Sequence, residues 1–180
     1  MTSPSVAFIA STYLLLGSTC QSAPNCEISF EKKQTIQSVL CGQNATETQY
    51  RQFGPGCIKR SLERRLEDSA VQIFSFQVCG EAEFAEELRK ATVEAMTFME
   101  VLAPCVNEAI DIAAIMDERT KFVEQKGARL TCKPEFQSML ESRKPFFQAQ
   151  IDLSKDPSLR AKLLSRMEIN VDEEGNLSDF

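Results

Sequence analysis

The chain has 180 residues, with 26 acidic against 20 basic side chains and no histidine. The net charge of −6 sets it against nonspecific binding to nucleic acid or anionic membranes, because both repel an acidic protein. Without histidine there is no Ser-His-Asp or Cys-His nucleophile arrangement, no HExxH motif and no common histidine-containing zinc site.

Residues 1–20 read as a signal peptide. Val6 to Gly17 form an uncharged apolar run, small residues follow at Gly17, Ser18 and Thr19, and the first charged side chain is Glu27. About 12 apolar residues are too few to cross ~30 Å of hydrocarbon but suit a signal core. Cleavage is expected near Cys20 or Ser22. No later stretch approaches a membrane span, so a secreted, extracellular chain with no integral membrane span is expected. Six cysteines follow the signal: Cys26, Cys41, Cys57, Cys79, Cys105 and Cys132. An even number in an exported chain predicts three disulfides, although spacing does not choose among the pairings. No two lie close enough for a CxxC knuckle, so no metal site is expected.

Along the remaining chain, 21–169 is expected to form one helical domain. A first helix is expected between Cys26 and Cys41, followed by a loop over Gln43 to Pro55. From Cys57 to Cys79 the apolar residues Ile58, Leu62, Leu66, Ala70 and Ile73 recur at helical spacing, and Gly80 follows where a left-handed cap is easily adopted. Phe84, Leu88, Ala91, Ala95, Met99 and Leu102 make a stripe on the next helix, over about Glu81 to Ala103. Pro104 is read as opening another, which Gly127 stops. Pro134 to Gln150 is expected to be helical with an interruption near Pro145. Asp156-Pro157 has the pattern of a cap followed by proline at the first helical position. No alternating strand pattern of useful length appears. The expected fold is all-α: an irregular bundle of five or six helices cross-linked by three disulfides. Residues 170–180 read as an acidic flexible tail.

Lys59, Arg60, Arg64 and Arg65 alternate with Glu63, Glu67 and Asp68, which reads as a solvated, ion-paired helix face. Asn44-Ala45-Thr46 is a glycosylation sequon in the expected loop, and Asn176-Leu177-Ser178 is a second match near the C-terminus. Asn170, Asp172 and Glu174, with Gly175 and Leu177, resemble the start of an EF-hand calcium loop. The chain stops at Phe180, short of the bidentate glutamate, so an acidic tail is the simpler reading. The glycines are isolated and make no phosphate loop. Carboxylate pairs such as Glu81–Glu83 and Glu86–Glu87 have the ordinary explanation of a charged helix surface, and no enzyme activity or cofactor is expected.

Binding remains. Phenylalanine and methionine are numerous, and flat or flexible apolar side chains can line a ligand cavity as well as fill a core. Phe74, Phe98, Met99, Met116, Phe146 and Phe147 are the candidates for an apolar ligand site or surface patch, with Phe146 and Phe147 the pair to watch. Two functions follow. One is a secreted, non-catalytic protein that binds another macromolecule through its helical surface. The alternative is an extracellular carrier of a small apolar ligand or lipid.

Overall fold

The computed structural model describes residues 26–41, 56–174 and 176–179. Six α-helices run through these residues: α1 (Phe30–Leu40), α2 (Cys57–Val78), α3 (Ala82–Leu102), α4 (Ile112–Gly127), α5 (Pro134–Ser154) and α6 (Leu159–Arg166). Three short strands join them: β1 (Cys26–Glu27), β2 (Ile169–Val171) and β3 (Leu177–Asp179). The fold is an all-α, disulfide-cross-linked bundle with a small sheet at one corner.

The apolar period read in α2 is the buried face: Ile58, Leu62, Leu66, Ala70 and Ile73 are all at most 1% exposed. They pack with Ile36 and Leu40 of α1, Leu88 and Leu102 of α3, and Ile112 and Met116 of α4 in one core cluster. Burying a side chain of this size stabilises the fold by about 1.5–3 kcal/mol each. Ile58 lies by Glu108 and Phe74 by Gly127, so α2 and α4 run side by side in the same direction. The ring of Phe76 meets Phe84 across the tight turn at Gly80, sending α3 back antiparallel. Gly80 has φ of +85°, as the expected left-handed cap requires.

The starts of α2 and α4 are closed by carboxylates, some of them distant in sequence. Glu108 accepts from the amides of Ile58 (3.4 Å) and Lys59 (3.2 Å) at the start of α2, where Gly56 offers no side chain. Asp111 accepts from Ala114 N at 2.8 Å, and Glu100 of α3 accepts from Ile112 N at 2.6 Å, so two carboxylates hold the first turn of α4.

Two expectations need correction. Pro104 does not open the fourth helix: Ala103–Val106 is a 3-10 turn, Asn107 is left-handed at φ 59°, and the helix starts only after Asp111. Pro145 does not interrupt α5, which continues to Ser154. Its ring removes one amide, and that loss is tolerated on an exposed face where water reaches the freed carbonyl. Gly127 ends α4 as expected, but as its last, buried residue, placed against the Phe74 ring. At α6, the start falls at Leu159 because Asp156 accepts from Ser158 N (2.9 Å) and Oγ (2.6 Å), which makes a turn across Pro157.

The expected flexible tail also differs. β3 pairs antiparallel with β2 (Asn170 opposite Ser178) and parallel with β1 (Cys26 opposite Leu177). Ile169 and Leu177 are buried in the core at 2% and 1% exposure, and Ser29 N donates to the Asp179 carboxylate at 3.1 Å, so the segment is docked. Asp172 accepts from the backbone amide of Asn176 (2.7 Å) and from its Nδ2 (2.8 Å). Asn170 is spent in the ladder and donates to the carbonyl of Asp179. The carboxylate of Asp172 in the EF-hand-like sequence therefore serves a hairpin turn.

Candidate functional site

The disulfides are Cys26–Cys105, Cys41–Cys57 and Cys79–Cys132, with Cα separations of 5.4, 5.5 and 4.9 Å. Cys41–Cys57 ties the end of α1 to the start of α2. Cys79–Cys132 ties the end of α2 to the residues before α5. Cys26–Cys105 anchors β1 to the 3-10 turn. Residues 1–20 and Asn44 lie outside the described residues. Among those described, no helix is long and apolar enough to cross a membrane.

The six apolar candidates do not share one site. Met99 and Met116 are core residues at 4% and 0% exposure. Phe98 packs half-buried against that core, and Phe74 lies against Gly127. Phe146 and Phe147 behave differently. An edge-to-face chain runs outward from Phe84 to Phe76 (4.8 Å between centroids), Phe147 (5.6 Å) and Phe146 (5.5 Å). It ends at Phe146, whose residue is 65% exposed.

The surface around Phe146 is built by α5. This helix inserts only Leu140 and Ile151 fully, with Phe136 and Phe147 packed partly against the core. A second apolar row runs along its open side: Met139 (41% exposed), Phe146 (65%) and Leu153 (57%). Residues seven apart on an α-helix lie almost in line, so the row is about 21 Å long. The seven-residue recurrence of Met139 and Leu153 around Phe146 is visible in the sequence, where the pairing of Phe146 with Phe147 draws attention away from it.

Beside this row lies a groove. Its floor is α3, and its walls are α2 and α5. One recess of about 210 Å³ is lined by Ala91, Ala95, Met96, Leu153 and Leu159, with Ser69 opposite. A second of about 150 Å³ adjoins it through shared Ser69, Thr92 and Gln150, and is lined also by Asp68, Leu88 and Phe147. Small side chains at Ala91 and Ala95 keep the floor low. Of the six candidates, only Phe147 lines this groove.

Elsewhere some charged side chains form ion pairs. Glu86 accepts two bonds from Arg89 (2.9 and 3.1 Å), which also reaches Asp117 at 3.1 Å. The hydrogen bond from Arg89 holds the Glu86 carboxyl below its ordinary value. Glu81 is bonded by Lys144 at 2.8 Å, and Lys144 also lies over the Phe84 ring. Glu67 meets Arg119 of α4 at 3.6 Å, so one acid of the mixed-charge face on α2 serves an interhelical pair. Near the C-terminus, Lys32 joins Glu168 at 2.8 Å and bonds the carbonyl of Met167. Comparison of the chain with protein-family models, curated proteins and solved structures finds no match.

Proposed function

We propose that this is a secreted, non-catalytic extracellular protein that binds another macromolecule through the α5 face. The observation that carries the reading is the exposed row Met139, Phe146 and Leu153 beside an apolar groove. Clustered large apolar side chains on an otherwise charged surface mark contact sites, whereas scattered ones do not. Phe146 has the character of an anchor: an aromatic side chain stacked through Phe147 onto the buried Phe76, so little freedom is lost when it is covered. Three disulfides and the apolar N-terminal run Val6–Gly17 support export. The carrier reading has less support, since Met99 and Met116 are spent in the core. Each recess of the groove taken singly is smaller than the ~300 Å³ at which small-molecule pockets begin. The larger hollow of about 410 Å³ beside Lys32, Arg166 and Glu168 has a charged lining unsuited to an apolar ligand.

A photocrosslinking residue at position 146 tests this in the extracellular fluid where the chain accumulates. A discrete crosslinked macromolecule is expected from position 146 and not from exposed Glu124 on α4. The absence of any position-146 product, or equal products from both positions, would sink the reading.

A further inference from the structure

We infer that the α5 face is self-complementary and that its occupant is a second copy of this chain, in a two-fold dimer with the α5 helices antiparallel. The inference rests on the reading of that face as a macromolecular contact. Its apolar row is symmetric about Phe146: Met139 lies seven residues before it and Leu153 seven after. With the two-fold axis at Phe146, Met139 of one copy meets Leu153 of the other at both ends, and the two Phe146 rings meet at the centre. The same surface thus carries the projecting side chains at its centre and, beside them, the groove over Ala91 and Ala95 at its margin. A closed two-fold dimer requires such a self-matching patch.

Charge supports the same arrangement. A chain of net charge −6 repels its copies, yet Ser142 to Ile151 contains no carboxylate. Glu141 and Asp152, the nearest in sequence, lie more than a quarter-turn around α5 from Phe146 and are engaged by Gln137 and Gln148. Within that stretch the charges are Lys144, committed to Glu81, and Arg143. Arg143 is exposed and has no ion pair among the described residues. Antiparallel pairing about Phe146 brings it level with Ala149 and Gln150 of the second copy. Gln150 lines the groove together with Asp68, which is likewise exposed and without an ion pair among the described residues. Arg143 of each copy therefore meets Asp68 of the other, twice by symmetry.

Sedimentation of the full secreted chain over a concentration series tests the proposal, with circular dichroism and thermal melting to verify the fold of each variant. The chain should show a reversible monomer–dimer equilibrium. Phe146→Asp should weaken it at least about 30-fold, the loss typical of an anchor residue. Arg143→Asp should weaken it about 5- to 10-fold, and adding Asp68→Arg should restore most of the loss. A chain that stays monomeric throughout, a dimer indifferent to Phe146→Asp, or a charge reversal that does not rescue would each overturn the inference. A monomeric chain that still crosslinks a different macromolecule from position 146 would overturn only the dimer and leave the proposed function standing.

Discussion

Replacing Gly127 with alanine should destabilise this protein even though the site is helical, and the reason is one ring on another helix. In α4 the exchange by itself favours folding by roughly 0.5–1 kcal/mol, because alanine loses less backbone entropy than glycine. A methyl group at position 127, however, would lie 3.0 Å from Cζ of Phe74, 3.1 Å from Cδ1, and closer still to Cε1. The ring must move or the two helices must part. Parting is resisted by the shared core of α2 and α4 and by the Cys79–Cys132 bridge just beyond their ends. Forcing a methyl group into a packed contact costs about 1–3 kcal/mol. The difference leaves a net loss of about 1 kcal/mol, or ~2–4 °C in Tm for a domain of this size. The decisive assay is a double-mutant cycle by thermal and urea unfolding. In a Phe74→Ala background the same Gly127→Ala exchange should turn stabilising, giving a coupling of ~1.5 kcal/mol or more. If Gly127→Ala raises Tm equally in both backgrounds, the ring does not explain this glycine.

Removing the N-cap of α4 by Asp111→Ala should cost ~1 kcal/mol, with Glu100 still bonding Ile112 N; a neutral result would mean that Glu100 alone closes the helix. The disulfides close loops of 16 (Cys41–Cys57), 53 (Cys79–Cys132) and 79 residues (Cys26–Cys105). On the chain-entropy account, their replacement by alanine pairs should cost about 3, 4 and 4.5 kcal/mol in that order, and urea midpoints in the reverse order would refute it. Glu86 has its folded pKa lowered from 4.5, first by the hydrogen bond from Arg89. Its contribution is therefore present above pH 4.5 and lost as pH falls through the folded value. The stability advantage of the parent over Glu86→Gln should be larger at neutral pH than in acid. An advantage that does not shrink on acidification would remove the Arg89 pair as its source.

Much of the scaffold was legible because it depends on neighbours in the chain. The 3.6-residue recurrence of Ile58, Leu62, Leu66, Ala70 and Ile73 places α2 and names its buried face without reference to any other helix. Gly80 past its end signals the left-handed turn for an equally local reason. The even cysteine count announced bridges, but their pairing depends on which helix ends meet. The caps of α4 and α2 were not read from the sequence, where the apolar period carries α4 back to Pro104. Asp111 stands next to the turn that it closes, whereas Glu108 and Glu100 serve amides that folding alone brings to them. The close approach of Phe74 to Gly127 and the docking of Leu177 were hidden for the same reason.

The candidate site divides along that line too. Phenylalanine and methionine in helices declare themselves apolar, but composition cannot say which face a neighbour will cover. The packing against α3 takes Leu140, Phe147 and Ile151 and leaves Met139, Phe146 and Leu153 in water. Sequence by itself determined the helices, the number of bridges and the apolar inventory, because these follow from local spacing and side-chain chemistry. Tertiary structure decided which cysteines pair, that the acidic end becomes a strand, and which apolar row stays open. Each of those is a contest for the same surface between segments far apart in the chain, and only their packing resolves it.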